Sequence, residues 1–341
     1  MAELLYNEEG RLLFTEEMKK EYTLLMPQML PVHFTMLKKV FELEGYQVDM
    51  LTTNHRGIVD EGLKYVHNDT CYPALLVIGQ LLDAVKSGKY DPHKLGLLIT
   101  QTGGGCRASN YIHLLRKALH RAGYDYIPVV SVNLSGLEKN PGFSLGLGMI
   151  MRMAYSMIYG DLIVHMANQC RPYEIVEGET DRRIAAWVER LVEDFTRKGA
   201  FSKGHVRENF NAISDDFASI PVHRVPKVRV GVVGEIYVKF APLGNNNLEQ
   251  FLLSEGVEPV VPGLTDSRAH LEGLRAYVDT LPHVERVELL PFHKLGAHKY
   301  EALERTDPLA GTPPMDRDLC RRLEREFFAP YTTTAEKGRA V

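Results

Sequence analysis

The chain has 341 residues, of which 45% are hydrophobic and 25% are charged, as in an ordinary soluble globular protein. This length allows two domains and part of a third. The formal net charge of −4 argues against a dedicated nucleic-acid-binding protein, because phosphate recognition needs a basic face. No apolar run reaches the roughly 18–20 residues of a membrane-spanning helix, and the N-terminus lacks a signal-peptide pattern. The expected compartment is therefore the cytoplasm.

Alternating strand and helix patterns fill the first part of the chain. The strands are predicted at 22–27, 46–52, 94–101 and 126–134, and the helices at 31–45, 71–88 and 106–123. Helices of this length between strands favour a parallel sheet with helices on both faces. The sequence therefore predicts an α/β fold with a three-layer, Rossmann-like sheet domain.

The remaining part of the chain changes character twice. Residues 143–220 are predicted to be mostly helical, with methionines that pack in the core. At 226–240 the run VRVGVVG is typical of a first Rossmann-like strand, followed by a helix at 245–256 and a strand at 257–263. A second, incomplete α/β domain is expected to begin there.

The four cysteines are Cys71, Cys106, Cys170 and Cys320. They are too far apart in sequence for the disulfide framework of a small domain, and no CxxC pair is present, which excludes a zinc ribbon. In a reducing cytosol such cysteines are buried, catalytic or metal-bound.

Two of these cysteines occupy similar positions, where a loop turns into a helix. Cys71 lies in HNDTCYP, with Asp69 or Thr70 as a candidate helix cap, and Cys106 follows a glycine run in TQTGGGCRASNY. Loops that lead into helices lie at the carboxyl edge of a parallel sheet, where ligands bind. Both thiols are therefore expected to face one crevice.

The chemistry of these positions suits an inorganic cofactor. A helix N-terminus favours anionic groups, and iron–sulfur clusters are held by thiolates. Gly103, Gly104 and Gly105 would let the backbone approach a bulky group closely, and Arg107 could stabilise an anionic cluster or a CoA phosphate. The alternatives are a structural role for each buried cysteine and a phosphate cradle at the glycine run, although the Lys-Ser/Thr pair of a Walker motif is absent.

Several long segments resemble the 2-hydroxyacyl-CoA dehydratase family, in the branch found within large proteins fused to an ATP-dependent activase. The resemblance covers about residues 15–263 and is carried by NHRGIVDEGLKYVHNDTCYPALLVIGQLLDAVKSGKYD, ITQTGGGCRASNYIHLLRKAL, SVNLSGLEKNPGF and VGVVGEIYVKFAPLGNNNLEQFLLSEG.

This resemblance implies an iron–sulfur cluster, either [4Fe–4S] or double-cubane, with Cys71 and Cys106 as ligands. It also implies an ATP-dependent activase as the electron donor, radical dehydration or reduction of an acyl-CoA, and a possible homo- or hetero-dimer. Cys170 lies where this branch is expected to have a threonine. The segment with the family's third cysteine is absent, so the chain is expected to be impaired. The resemblance assigns no catalytic residue.

The tail resembles a different family. From about residue 257 the signatures VVPGLTD, LPFHKLG and PLAGTPP are similar to the C-terminal part of pyruvate formate-lyase activating enzyme, a radical S-adenosylmethionine protein. His293 of LPFH matches a position near the S-adenosylmethionine site, with a strand-end histidine as the favoured alternative. The CxxxCxxC motif that holds the cluster of this family is absent.

Taken together, the two resemblances predict a chimeric chain. The chain is expected to begin with a lead-in (1–20), followed by the dehydratase-like domain (21–225) and the start of a second domain (226–263). An activase-like half-barrel tail (264–330) then completes or caps this second domain, and the last residues (331–341) form a disordered end. A join of two sequences across the shared VVPGL is favoured over a natural fusion, because each half of a core needs its partner layer for burial. Two alternatives stay open: a fragment of the activating enzyme and a non-catalytic product.

Three polar groups have simpler interpretations. Asp60 and Glu61 are adjacent on a helix, so they point in different directions and favour capping or solvation over paired acid–base chemistry. The pair Gly234–Glu235 closes a predicted strand and could hold a ligand. The run 245–247 is predicted to cap a helix.

Overall fold

The computed structural model describes residues 3–8, 10–67, 69–100, 110–132, 140–232, 234–260 and 317–329. The chain divides into two compact units, Met1–Val261 and Pro262–Val341. In the second unit the described residues form one amphipathic helix, α12 (Arg317–Phe328). The predicted half-barrel and the predicted disordered end lie almost wholly outside the described residues.

The first unit is built on a parallel sheet, as the strand–helix alternation predicts. The strands, in chain order, are β1 (Thr23–Pro27), β2 (Gln47–Leu51), β3 (Leu95–Thr100) and β4 (Val129–Val132). Their spatial order is β2-β1-β3-β4, and all three pairings are parallel. The direction of winding therefore reverses between β1 and β3.

Helices cover both faces of this sheet, so the predicted three layers are confirmed. The helices up to β4 are α1 (Glu16–Glu21), α2 (Pro31–Leu43), α3 (Arg56–Tyr65), α4 (Tyr72–Lys86) and α5 (Tyr111–Ala122), and α6 (Leu147–Cys170), α7 (Glu179–Asp194) and α8 (Lys203–Ala218) follow. Leu24 and Leu98 face a core shared with α2, α6, α7 and α8, whereas Leu25 and Leu97 face a core shared with α3, α4 and α5. Burial on both faces explains why β1 and β3, the two central strands, are nearly continuous apolar runs rather than alternating.

The lead-in segment belongs to the core instead of preceding it. Phe14 and Met18 are fully buried, and both lie in the core on the α2 side of the sheet. The many charged residues of this segment make the first twenty residues look solvated, although Phe14 ends a short apolar run.

The segment predicted to begin a second domain lies within the first unit, where it forms a small parallel sheet of two strands, β5 (Arg229–Gly231) and β6 (Glu258–Val260). The predicted strand 228–234 is shorter than expected. Gly234 has a φ of +134°, and the Glu235 side chain accepts hydrogen bonds from the N–H groups of Tyr237 and Val238. This cap ends the extended backbone and starts a helix.

Three short helices connect the two strands of this sheet. They are α9 (Ile236–Phe240), α10 (Pro242–Asn245) and α11 (Leu248–Ser254). Asn245 Oδ1 accepts a hydrogen bond from the N–H group of Leu248, so the predicted capping role is confirmed, although the helix begins three residues later than expected. Asn246 and Asn247 both adopt left-handed backbone conformations, with φ of 56° and 58°.

One helix of the described residues is long and apolar enough to cross a membrane by length and composition. It covers Leu147–Tyr173, has a mean hydropathy of 1.2 over 18 residues, and 28% of that window is buried. A core helix of a soluble protein meets the same criteria, and α6 contributes Met149, Tyr159 and Ile163 to the core.

Candidate functional site

Cys71 lies at the start of α4, as the sequence predicts, but the chain reaches α4 from α3 and not directly from the end of a strand. It is the N-cap residue of α4, with φ of −59° and ψ of 144°, and its side chain is half-buried. Its carbonyl accepts hydrogen bonds from the N–H groups of Ala74 and Leu75. Neither Asp69 nor Thr70 caps α4 as expected, because the N-cap residue of the helix is Cys71 itself.

The Cys71 sulfur contacts the phenol of Tyr111, with 2.9 Å between Sγ and Oη. Tyr111 is the first residue of α5, and α5 is reached from β3 through a loop at the carboxyl end of that strand. The contact therefore brings the first residues of α4 and α5 together at one edge of the sheet. Sequence analysis missed Tyr111, although it stands at the end of the quoted motif CRASNY.

The second predicted ligand cannot be placed. Cys106, Gly103, Gly104, Gly105 and Arg107 lie in the loop between β3 and α5, outside the described residues. So does His293. The distance between the sulfurs of Cys71 and Cys106, which would test a shared cluster, therefore stays a prediction.

The described part of the chain supplies one sulfur to such a site. It contains no group of three or more His, Cys, Asp and Glu side chains that could hold a metal ion. A half-buried thiol beside a phenol hydroxyl, at a helix N-terminus, has suitable donor chemistry for iron, because hydrogen bonds to sulfur tune iron–sulfur clusters. The remaining ligands of any cluster would have to come from segments that are not described.

Cys170 has a structural environment. It is the last residue of α6, is 5% exposed, and donates a hydrogen bond from Sγ to the carbonyl of Phe217 at 3.4 Å. Burial raises the pKa of the Cys170 thiol. A neutral thiol in a hydrocarbon core is a poor metal ligand and a poor nucleophile, since both roles need the thiolate.

A buried tyrosine lies near the Cys71 end of α4. Tyr237 of α9 is 4% exposed, its hydroxyl has no hydrogen-bond partner among the described residues, and it packs against Gly244. Burial, followed by the charge of the ionised Tyr72 phenol, raises the pKa of Tyr237. Nothing in the sequence pattern of IYVKF distinguishes this tyrosine from an ordinary core residue.

The remaining candidate acids have structural partners. Asp60 is exposed, whereas Glu61 contacts Lys64 and lies 2.6 Å from Nζ of Lys86. Hydrogen bonds from these two lysines lower the pKa of Glu61. Glu61 therefore fastens α3 to α4 instead of capping a helix or facing solvent, and Glu235 caps α9 instead of closing a strand.

The comparisons with known proteins support one of the two resemblances. The chain is similar to the pyruvate formate-lyase-activating enzyme of Clostridium pasteurianum, with 39% identity over 66 residues, 19% of this chain and 28% of that protein. It is also similar to the pyruvate formate-lyase 1-activating enzyme of Escherichia coli K12, with 31% identity over 96 residues, 28% of this chain and 37% of that protein. For the isethionate sulfite-lyase activating enzyme of Nitratidesulfovibrio vulgaris, the identity is 38% over 66 residues, 19% of this chain and 20% of that protein.

No family model matches the chain, and no solved structure matches it. No reported relative supports the resemblance to 2-hydroxyacyl-CoA dehydratases. The chain covers less than two fifths of the length of each relative named above. The comparisons therefore support a similarity between part of this chain and activating enzymes.

Proposed function

We propose that the chain is an iron–sulfur protein in which the Cys71 thiolate binds one iron of a cluster at the carboxyl edge of the sheet. The observation that carries this proposal is the position of Cys71: a half-buried thiol at the N-terminus of α4, in contact with the residue where the loop after β3 enters α5. Cys106 stands five residues before Tyr111 in that loop.

The length of the loop is compatible with a shared cluster. Five residues span at most about 17 Å when fully extended, so Cys106 is tethered within that distance of the Tyr111 backbone. Terminal ligands of one cubane lie about 6–7 Å apart, an estimate from cluster dimensions. A bound cluster would take up and pass on single electrons, and the protein would supply thiolate ligands and hydrogen bonds to sulfur.

In its finer form, the proposal is a protein of the 2-hydroxyacyl-CoA dehydratase type. An ATP-dependent activase would donate the electron, and an acyl-CoA would undergo radical dehydration or reduction. The motifs around Cys71 and Cys106 support this form, whereas the comparisons do not. The absent third cysteine predicts an impaired protein.

The second candidate is a fragment of a radical S-adenosylmethionine activating enzyme. The comparisons favour it, because several activating enzymes are 31–39% identical to part of the chain. The four cysteines of the chain are too far apart to form the CxxxCxxC motif that holds the cluster of that family. Such a fragment would keep part of the fold without its catalytic cluster.

Anaerobic reconstitution separates these candidates. The purified chain is incubated with iron and sulfide, and its visible absorption, iron content and EPR spectrum are measured for wild type, Cys71→Ala and Cys170→Ala. The proposal predicts a cluster in wild type and in Cys170→Ala, with loss of most of the signal in Cys71→Ala. Equal cluster content in all three proteins, or none in wild type, would contradict it.

A separate assay addresses the second candidate directly. The reconstituted chain is incubated with dithionite and S-adenosylmethionine, and reductive cleavage of the sulfonium is followed by chromatography. Cleavage that depends on the bound iron would show activating-enzyme chemistry despite the absent CxxxCxxC motif, and would contradict both the dehydratase type and an inactive fragment.

A further inference from the structure

The contact between Tyr111 and Cys71 acquires a fixed direction when the sulfur binds iron. This inference rests on the proposed function, in which Sγ of Cys71 is an iron-bound thiolate. In the free thiol, either the S–H or the O–H group can donate across the 2.9 Å between Sγ and Oη. An iron-bound thiolate carries no proton, so the sulfur can only accept. The phenol of Tyr111 is then the donor of this hydrogen bond.

Packing holds the two groups in this position. Cys71 is the N-cap residue of α4, and Tyr111 is the first residue of α5. The two helices share one core, in which Ile78 of α4 and Ile112 of α5 are fully buried, and the side chain of Tyr111 packs against that core. The phenol therefore approaches the sulfur from a ring that the core supports.

The backbone of α4 leaves few other donors near the sulfur. Pro73, the second residue of the helix, has no N–H group, and the N–H groups of Ala74 and Leu75 donate to the Cys71 carbonyl. Within the described first turn of α4, the N–H group of Tyr72 is the one that remains for another acceptor. The phenol of Tyr111 therefore supplies a donor that this helix N-terminus lacks.

A hydrogen bond to a thiolate ligand changes how readily a cluster accepts an electron. Reduction adds one negative charge, part of which lies on the ligand sulfurs, and a hydrogen bond to a more negative acceptor is stronger. The bond therefore stabilises the reduced form more than the oxidised form, which raises the reduction potential.

We propose that Tyr111 tunes the cluster through this bond: its phenol donates to the iron-bound Cys71 thiolate and raises the reduction potential. The electron comes from an external one-electron donor. The phenol keeps its proton throughout, so no bond to hydrogen breaks. Tyr111 thus acts on the cluster through Cys71 and is not itself a ligand.

Potentiometric titration of the reconstituted protein tests this role. Wild type, Tyr111→Phe and Tyr72→Phe are reconstituted with iron and sulfide without oxygen, and the reduced fraction is followed by EPR as dithionite lowers the potential. Tyr111→Phe is expected to decrease the ratio of reduced to oxidised cluster about tenfold at a fixed potential, which is a fall of about 59 mV in the midpoint for one electron. Tyr72 follows Cys71 and is 47% exposed, so its variant is expected to keep the wild-type midpoint.

The results distinguish this inference from the proposed function. Equal midpoints in wild type and Tyr111→Phe at equal iron content, or an equal fall in both variants, would overturn the role of Tyr111 and leave the cluster in place. The absence of a cluster in wild type, or an unchanged cluster in Cys71→Ala, would overturn the proposed function and this inference with it.

A second substitution decides the matter if Tyr111→Phe does not hold a cluster. 3-Fluorotyrosine is incorporated at position 111 alone and, as the matched control, at position 72 alone. Fluorine makes the phenol a stronger donor with almost no change in shape, so the midpoint is expected to rise with the label at 111 and to stay constant with the label at 72. A purely structural role for Tyr111 predicts no rise, and an unchanged or lower midpoint would overturn the inference.

Discussion

The sulfur of Cys71 and the phenol oxygen of Tyr111 lie 2.9 Å apart, and this contact joins the first turns of two helices that pack on the same face of the sheet. Forty residues separate the two side chains in sequence. The contact fixes the position of the thiol relative to the first residue of α5.

Removing the phenol oxygen should loosen this junction. Tyr111→Phe is expected to lower the free energy of unfolding by about 0.5–1.5 kcal/mol, the usual net contribution of one hydrogen bond. It should also speed alkylation of Cys71 in the folded protein, because the sulfur loses its partner. Urea unfolding and peptide mass spectrometry after iodoacetamide treatment measure the two effects. Tyr72→Phe, at the residue after Cys71, is the control, and equal changes in both variants would contradict a specific role for Tyr111.

The described thiols should differ in reactivity. Cys71 is half-buried, whereas Cys170 is 5% exposed and burial raises its pKa. With Ellman's reagent at pH 8, we expect the Cys71 peptide to be modified at least tenfold faster than the Cys170 peptide, because the reaction needs an accessible thiolate. Addition of urea should remove the difference. Similar rates in the native protein would show that Cys170 is not sealed in the core.

The close approach of α3 and α4 depends on two glycines. A Cβ atom at Gly79 would lie 2.2 Å from the carbonyl oxygen of Ile58, and one at Gly62 would lie 2.4 Å from the carbonyl oxygen of Leu75. Gly79→Ala is therefore expected to destabilise the protein by about 1–3 kcal/mol, as overpacking does, despite the better helix propensity of alanine.

A control for this substitution lies in α8. A Cβ atom at Gly204 meets nothing within 4 Å, so Gly204→Ala is expected to be neutral or stabilising by up to about 1 kcal/mol. Thermal unfolding of both variants measures the contrast. A Gly79→Ala protein as stable as wild type would mean that the two helices can move apart at no cost.

The ion pairs of Glu61 predict a pH dependence of stability. Lys64 and Lys86 lower the pKa of Glu61 below its ordinary value of 4.5. A lowered pKa in the folded state contributes stability that is fully present above pH 4.5 and is lost as the pH falls through the folded pKa. Glu61→Gln is thus expected to cost about 0.5–1 kcal/mol at pH 7 and progressively less below pH 4.5. Thermal unfolding from pH 7 to pH 3 tests this, and a constant difference would exclude the ion pairs as its cause.

Apolar strands separated by helical spacing were enough to predict the sheet. The predicted strands at 22–27 and 94–101 each begin one residue before the observed strands β1 and β3, because turns and buried runs mark these limits. The predicted strand at 228–234 fails for a local reason. Gly234 and the Glu235 cap stop the strand after three residues, and the alternation of valine and glycine gives no sign of a cap.

The candidate site, like the fold, could be predicted from the sequence only in part. The sequence predicts that Cys71 lies at the start of a helix, but the rule for loops that leave a strand does not apply to it, because α4 follows α3. The contact of Cys71 with Tyr111 follows from no periodicity.

The sequence by itself determined the fold class, the order of the strands and of helices α2, α4 and α5 along the chain, and the position of a thiol at the start of a helix, because each of these depends on local pattern and chain connectivity. Only the tertiary structure decided which side chains meet: the Cys71–Tyr111 contact and the sealed environment of Cys170. Such contacts depend on how distant elements pack, and packing is set by the shapes of all the side chains between them.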